Sequence, residues 1–153
     1  HYSLSLRFAR LGCLVSEQTN MRDVARPFLA ELAQRCQETV CLGCEAEMEV
    51  ECTDVVDGPD GILMVSQRVG ARAPLHATGA GKLLLLNYSN QKLNEYIAVK
   101  GLRALTPHTL VTREALVNSL EMIRSRGYAL EDEERELGAA VWRRRCVITR
   151  GGL

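Results

Sequence analysis

Apolar and polar positions alternate along the chain with two different periods. In "NMRDVARPFLAELAQRCQ", residues 20 to 37, Val24, Phe28, Leu32 and Cys36 return every fourth position with Leu29 beside them, which is one face of a helix. Asn20 can cap its start, and Pro27 bends it unless the true start lies close by. "ETVCLGCEAEMEVECTDVV" then alternates with period two, predicting strands over 39–46 and 48–56. The turn "DGPDG" at 57–61 leads to a third strand, "ILMVSQRV", and a loop at 70–77. Three helices are predicted after it: Thr78 to Leu86, Ser89 to Gly101, and Thr112 to Gly127, the last carrying Leu116, Leu120 and Ile123 on one side. "YALEDEERELG" reads as a strand giving way to an acidic turn. Strands grouped ahead of helices predict an α+β domain, a mainly antiparallel sheet flanked by helices.

At 153 residues the chain suits one domain with a real core, and no repeat or linker divides it. No apolar run reaches the eighteen or so residues of a membrane helix, and no signal peptide opens the chain, so the expected compartment is the cytoplasm. Nineteen basic residues balance nineteen acidic ones, so no electrostatic footprint for a polyanion is present. If the protein acts on DNA, other residues touch it. The chain opens at His1 without Met, as a fragment would. Cys41, Cys44 and Cys52 suggest a metal, but they fall on alternating strands and lack a second ligand pair, so they read as buried or half-buried thiols.

"APLHATGAGKLLLL", residues 73 to 86, raises the question of a phosphate cradle. The pattern G-x-x-x-x-G-K-[ST] would need glycine where His76 stands and a hydroxyl where Leu83 stands. With both missing, nucleotide hydrolysis is set aside. Thr78, Gly79, Ala80 and Gly81 nevertheless place small side chains at a helix start, where backbone N–H groups lack partners and the dipole is positive. Two readings stay open: a compact anion such as a carboxylate approaches that backbone, or the glycines serve only close packing. His76 has no nucleophile at catalytic spacing and reads as a residue that fixes the loop through backbone bonds. Lys82 reads as a surface charge or salt-bridge partner, and the acidic run Glu131 to Glu136 as mostly solvated, with Glu133 or Glu134 orienting the loop.

"RVGARAPLHATGAGKLLL" resembles the R-x-G-x-x-x-P-L-H-A-T-A-x-G-K signature of the effector-binding domain of the isocitrate lyase regulator (IclR) family of bacterial transcription regulators. "GLRALTPHTLVTREALVNSLEMIRSRGYALEDEERELG" follows that family's later pattern, and "MRDVARPFLAELAQRCQETVCL" is similar to its helix and first strand. The resemblance covers nearly all of residues 1 to 138. It implies a GAF-like fold, with 1–18 a connector from a missing winged-helix DNA-binding domain and 19–153 the effector-binding domain. It also implies that the amides of Gly79 and Ala80 hold an effector carboxylate. Glu131, one methylene longer than the usual Asp, would assist, and Ile62 and Val65 would be apolar lining or plain core.

After Gly138 the family pattern G-x-x-C-V-A-A-P-V is replaced by "AAVWRRRCVITRGGL". Three arginines and a Trp are poor material for a central strand. With CGN codons for arginine, reading from the third base of Ala140 permits "CVAAPVRDYTG" through Gly151, so two readings stand: a one-base frameshift near 138 to 140, the leading one, or genuine divergence into an edge strand. On the first reading the effector Cys is absent, with Val141 near its place, and the domain is incomplete after about 138.

The leading reading is therefore a cytoplasmic sensor for a small organic acid, not an enzyme and without a cofactor or membrane contact. It would act as a homodimer or homotetramer, with helix faces at 20 to 37 or 112 to 127 as candidate surfaces, and reach DNA only through the absent domain. The alternative is a small enzyme acting on a carboxylate with His76 or a cysteine. A zinc module using Cys41, Cys44 and Cys52 ranks below both.

Overall fold

The structure is a computed structural model, and it describes residues 21–58, 68–137 and 140–141. Helix α1 spans Met21–Cys36, followed by strands β1 (Val40–Ala46), β2 (Glu49–Val56) and β3 (Arg72–Pro74). Helices α2 (Gly79–Leu85), α3 (Asn90–Lys100) and α4 (Arg113–Arg126) come next, and short strands β4 (Glu131–Asp132) and β5 (Ala140–Val141) close the order. One sheet has the order β1-β2-β3, and β4 pairs β5 in a second. The expected α+β class with an antiparallel sheet is what these elements make. The described residues fall into two compact units.

The first unit contains 21–42, 52–58 and 68–69. The apolar positions read on α1 divide between its two sides. Ala25, Leu29 and Ala33 are buried, whereas Val24 and Phe28 are 57% and 61% exposed. The cause is Asp54, which is 1% exposed on β2. Arg26 Nη1 donates to both its carboxylate oxygens at 2.9 and 3.0 Å, and Arg22 Nη2 donates to Oδ1 at 3.2 Å. Arg22, Ala25, Arg26, Leu29 and Ala33 share one side of a 3.6-residue helix, so satisfying a buried charge fixes the rotation of α1. Burial alone would raise the Asp54 carboxyl, but the Arg22 hydrogen bond, the Val55 amide and both guanidinium charges outweigh it and hold it below its ordinary range. Pro27 lies within the helix.

The second unit contains 43–51, 70–137 and 140–141. Glu47 and Met48 join β1 to β2 with φ of 53° and 62°, the left-handed pair that a two-residue hairpin needs. Arg72 bridges Glu47 and Glu51 at 2.7 and 2.9 Å and so ties this turn to β3. The β2–β3 register is Glu49↔Pro74, Val50↔Ala73 and Glu51↔Arg72. Thus part of the expected 70–77 loop is a strand, because pairing with β2 supplies its hydrogen bonds. The core gathers Val50, Leu75, Leu85, Leu93, Tyr96, Leu116, Leu120, Ile123 and Ala129. The expected starts at Ser89 and Thr112 and the stop at Gly127 hold: Ser89 and Thr112 cap their helices by accepting from Lys92 and Ala115 N–H, and Gly127 ends α4 at φ 81°. No helix among the described residues is long and apolar enough to cross a membrane.

Residues 1–20, 59–67, 138–139 and 142–153 lie outside the described residues. With them lie the Asn20 cap, residues 62–67 of the expected strand "ILMVSQRV" with Ile62 and Val65, and the arginine-rich tail.

Candidate functional site

The site is assembled where the chain leaves β3 and enters α2. Leu75, His76 and Ala77 are buried, and Thr78 takes an extended conformation, φ −129° and ψ 146°, that turns the chain into the helix. The Thr78 hydroxyl donates to the Pro74 carbonyl at 3.1 Å and accepts from Gly81 N–H at 3.1 Å. Its carbonyl accepts from Lys82 N–H at 2.9 Å. The turn is thereby closed by its own side chain, a capped helix start rather than a phosphate cradle.

Two further amides remain at that start. Gly79 N–H donates to Glu131 Oε2 at 3.2 Å, from a carboxylate only 7% exposed. The Ala80 N–H finds no acceptor among the described residues. Gly79, Ala80 and Glu131 are therefore brought together across 52 residues of sequence. The register β4–β5 places Val141 opposite Glu131.

The acidic run is not mostly solvated. Glu131 and Glu134 are both buried, and Lys82, the partner of Glu134, is buried too at 2% exposure. Lys82 Nζ donates to the Leu130 carbonyl at 3.0 Å and to Glu134 Oε1 at 2.5 Å. Thr106 Oγ1 donates to the Glu133 carbonyl at 2.7 Å, and Thr109 Oγ1 to the Glu134 carbonyl at 2.6 Å. Glu134 does orient the loop, as expected, and the salt-bridge reading of Lys82 holds in a buried setting. The threonines were missed. In "LTPHT" they look like ordinary loop residues, and nothing local points to carbonyls 25 and more residues away.

His76 fixes the loop as expected. Its Nε2 faces the Arg103 carbonyl at 3.1 Å, which accepts only, so Nε2 carries the proton and Nδ1 accepts from the Tyr96 hydroxyl at 2.9 Å. The Tyr96 oxygen in turn accepts from His76 N–H at 3.2 Å. With both ring nitrogens engaged, His76 has no lone pair aimed at a substrate. Burial lowers its pKa below the ordinary 6.5 against the raising pull of the Arg103 carbonyl and the Glu134 charge. The folded chain thus resists a proton that the unfolded chain accepts, and this stability is present above pH 6.5 and lost as pH falls below it. Urea unfolding followed from pH 7.5 down to about 5.5 is expected to show a decline that His76→Gln flattens, separating it from His1 and His108. An equal slope in the variant would refute the assignment. Among the described residues no group of three or more His, Cys, Asp or Glu side chains could hold a metal.

The family described as "Bacterial transcriptional regulator IclR C-terminal" matches residues 13–142. The HTH-type transcriptional regulator XynR of Escherichia coli is 34% identical over 146 residues, 95% of this chain and 56% of that protein. The crystal structure of the Thermotoga maritima IclR superposes with a TM-score of 0.77 at 34% identity, over 90% of this chain and 55% of that one. An IclR homologue complexed with 4-hydroxybenzoate, from Microbacterium hydrocarbonoxydans, gives a TM-score of 0.75 at 26% identity, over 87% and 55% of the two chains. The chain spans about half the length of the curated relatives it matches. These relatives are named as transcriptional regulators and repressors, which agrees with the reading of a non-enzyme. On the match over 13–142 and on these identities, the chain belongs to the IclR family of bacterial transcriptional regulators, as an effector-binding domain of that family.

Proposed function

We propose that this domain is the cytoplasmic metabolite sensor of a transcription regulator, taking a small organic acid at the start of α2. Gly79 and Ala80 supply the amides for the ligand carboxylate, and Glu131 borders them. Ile62 and Val65 are the proposed apolar lining. The observation that carries this reading is the buried contact of a carboxylate with Gly79 N–H, beside an Ala80 N–H without a described acceptor. That arrangement accepts a carboxylate, and the homologue named for its 4-hydroxybenzoate complex suggests an aromatic acid. Ligand binding would shift the arrangement of subunits and so of the DNA-reading domains of the regulator. Met21, Val24 and Phe28, all on the outward side of α1 and 44%, 57% and 61% exposed, are the proposed self-association surface.

The test is thermal and urea unfolding of the chain against small keto, sugar and aromatic acids, 4-hydroxybenzoate included. A true effector at a hundred times its Kd is expected to stabilise by about 2.7 kcal/mol, and its neutral carboxamide counterpart by much less. Equal stabilisation by acid and amide, or none by any acid, would overturn the reading.

A further inference from the structure

We propose that the charge of Asp54 selects between two rotations of α1: it holds the helix with Val24 and Phe28 facing outward, and without it α1 rolls by about one residue and buries them. The roll stands on α1 and Asp54 alone. Its consequence, withdrawal of the association surface, rests on the reading above.

Two apolar stripes run along α1 at the same spacing. Ala25, Leu29 and Ala33 recur every fourth residue, and Val24, Phe28 and Leu32 repeat that pattern one position earlier. Neighbouring positions on a helix stand about 100° apart, so one roll of that size exchanges the stripes. Apolar area alone would bury the second stripe, whose side chains are together the larger. The structure buries the first, leaving Val24 and Phe28 exposed and Leu32 half-buried.

What outweighs that area is one carboxylate. Among the described residues, every side-chain hydrogen bond or ion pair that leaves α1 for another element ends on Asp54. A carboxylate 1% exposed is strongly destabilising without its partners, so α1 has to present Arg22 and Arg26 to it. A roll that turned Val24 and Phe28 inward would carry both arginines to the far side of the helix. The two rotations are therefore alternatives.

The lock is one-sided. Removing the Asp54 charge strands no buried partner, because the side chains of Arg22 and Arg26 are 47% and 55% exposed and water completes their shells. Removing either arginine instead weakens the hold on a sealed carboxylate. In the second rotation Arg35 comes near the buried stripe, but it lies in the last turn, where its stem can lie along the surface and keep its head in water.

The experiment compares the whole 153-residue chain with Asp54→Asn, which keeps the volume and removes the charge, and with Asp54→Leu. Hydroxyl-radical footprinting, on protein diluted until reactivity no longer depends on concentration, reads side-chain exposure. Wild type is expected to oxidise at Met21 and Phe28 and to protect Leu29. Both variants are expected to lose Phe28 oxidation several-fold and keep Leu29 no better protected than Phe28, as the rolled state passes from at most about 10% of molecules to the majority. Urea unfolding gives a second reading. Phe28→Ala is expected to leave the wild-type midpoint in place, as for an exposed residue, and to lower that of Asp54→Asn. A wild-type footprint in both variants, with only a lower midpoint, would make Asp54 a simple stabiliser and overturn the roll. Leu29 oxidised while Phe28 stays reactive would mean that α1 detaches, and would overturn it too. So would an equal effect of Phe28→Ala in the two backgrounds. A footprint that moves as expected while sedimentation shows one oligomeric state throughout would support the roll and overturn the association reading.

Discussion

Replacing Lys82 by Met is expected to destabilise the chain by about 3–5 kcal/mol, the usual consequence of leaving a buried charge without its partner. Lys82 is 2% exposed and Glu134 8%, so neither finds compensation in water. Methionine keeps much of the stem volume, which isolates the charge from the packing. In the variant, Glu134 loses its only described side-chain donor, and the Leu130 carbonyl loses the ammonium as well. The wild-type pair is itself imperfect, for Glu134 Oε2 is buried with no partner among the described residues. Lys82→Met with Glu134→Leu should therefore recover most of the loss, since an apolar pair of similar volume avoids both desolvation costs. Urea unfolding of the two singles and the double, read as a mutant cycle, checks this. A cost below about 1 kcal/mol for Lys82→Met, typical of a solvated pair, would sink the claim that the clamp is buried.

This pair also marks where sequence reasoning stopped. Period and caps carried the helices: Leu116, Leu120 and Ile123 with Thr112 and Gly127 define α4 without tertiary help, and the structure buries all three apolar side chains. The same logic found α1 but not which side it buries, because Val24 and Phe28 are more apolar than Ala25 and Ala33. The deciding term was Asp54, whose partners Arg22 and Arg26 lie 32 and 28 residues away. Likewise, β3 needs Glu49–Glu51 to be a strand at all, and read alone "RAP" is loop. Lys82 and Glu134 are 52 residues apart, so their burial left no local signature, and a run of acidic residues looked solvated. The meeting of Gly79 with Glu131 was legible through family resemblance alone, since no spacing rule connects them.

The glycines of "TGAGK" were open to two readings, close packing or ligand approach, and substitution should divide them residue by residue. Gly81→Ala is expected to destabilise by about 3 kcal/mol, at the upper end of the usual overpacking range. Its Cβ would sit 2.3 Å from the Leu75 carbonyl oxygen, 2.4 Å from Leu75 Cα and 2.6 Å from Thr78 Oγ1. The first two are backbone in a fully buried segment and cannot step aside, and the third is the cap that accepts from Gly81 itself. Gly79→Ala meets only ordinary contacts, the nearest at 3.7 Å, and alanine is the better helix former. Its stability is expected to stay within about 0.5 kcal/mol of wild type, as for an innocuous substitution. Packing thus accounts for Gly81 and leaves Gly79 unexplained by it, so any effect of Gly79→Ala should fall on ligand affinity. Thermal unfolding of the two variants side by side decides the matter: equal stability would mean that the loop at Leu75 yields, and that Gly81 is not the point on which the turn into α2 depends.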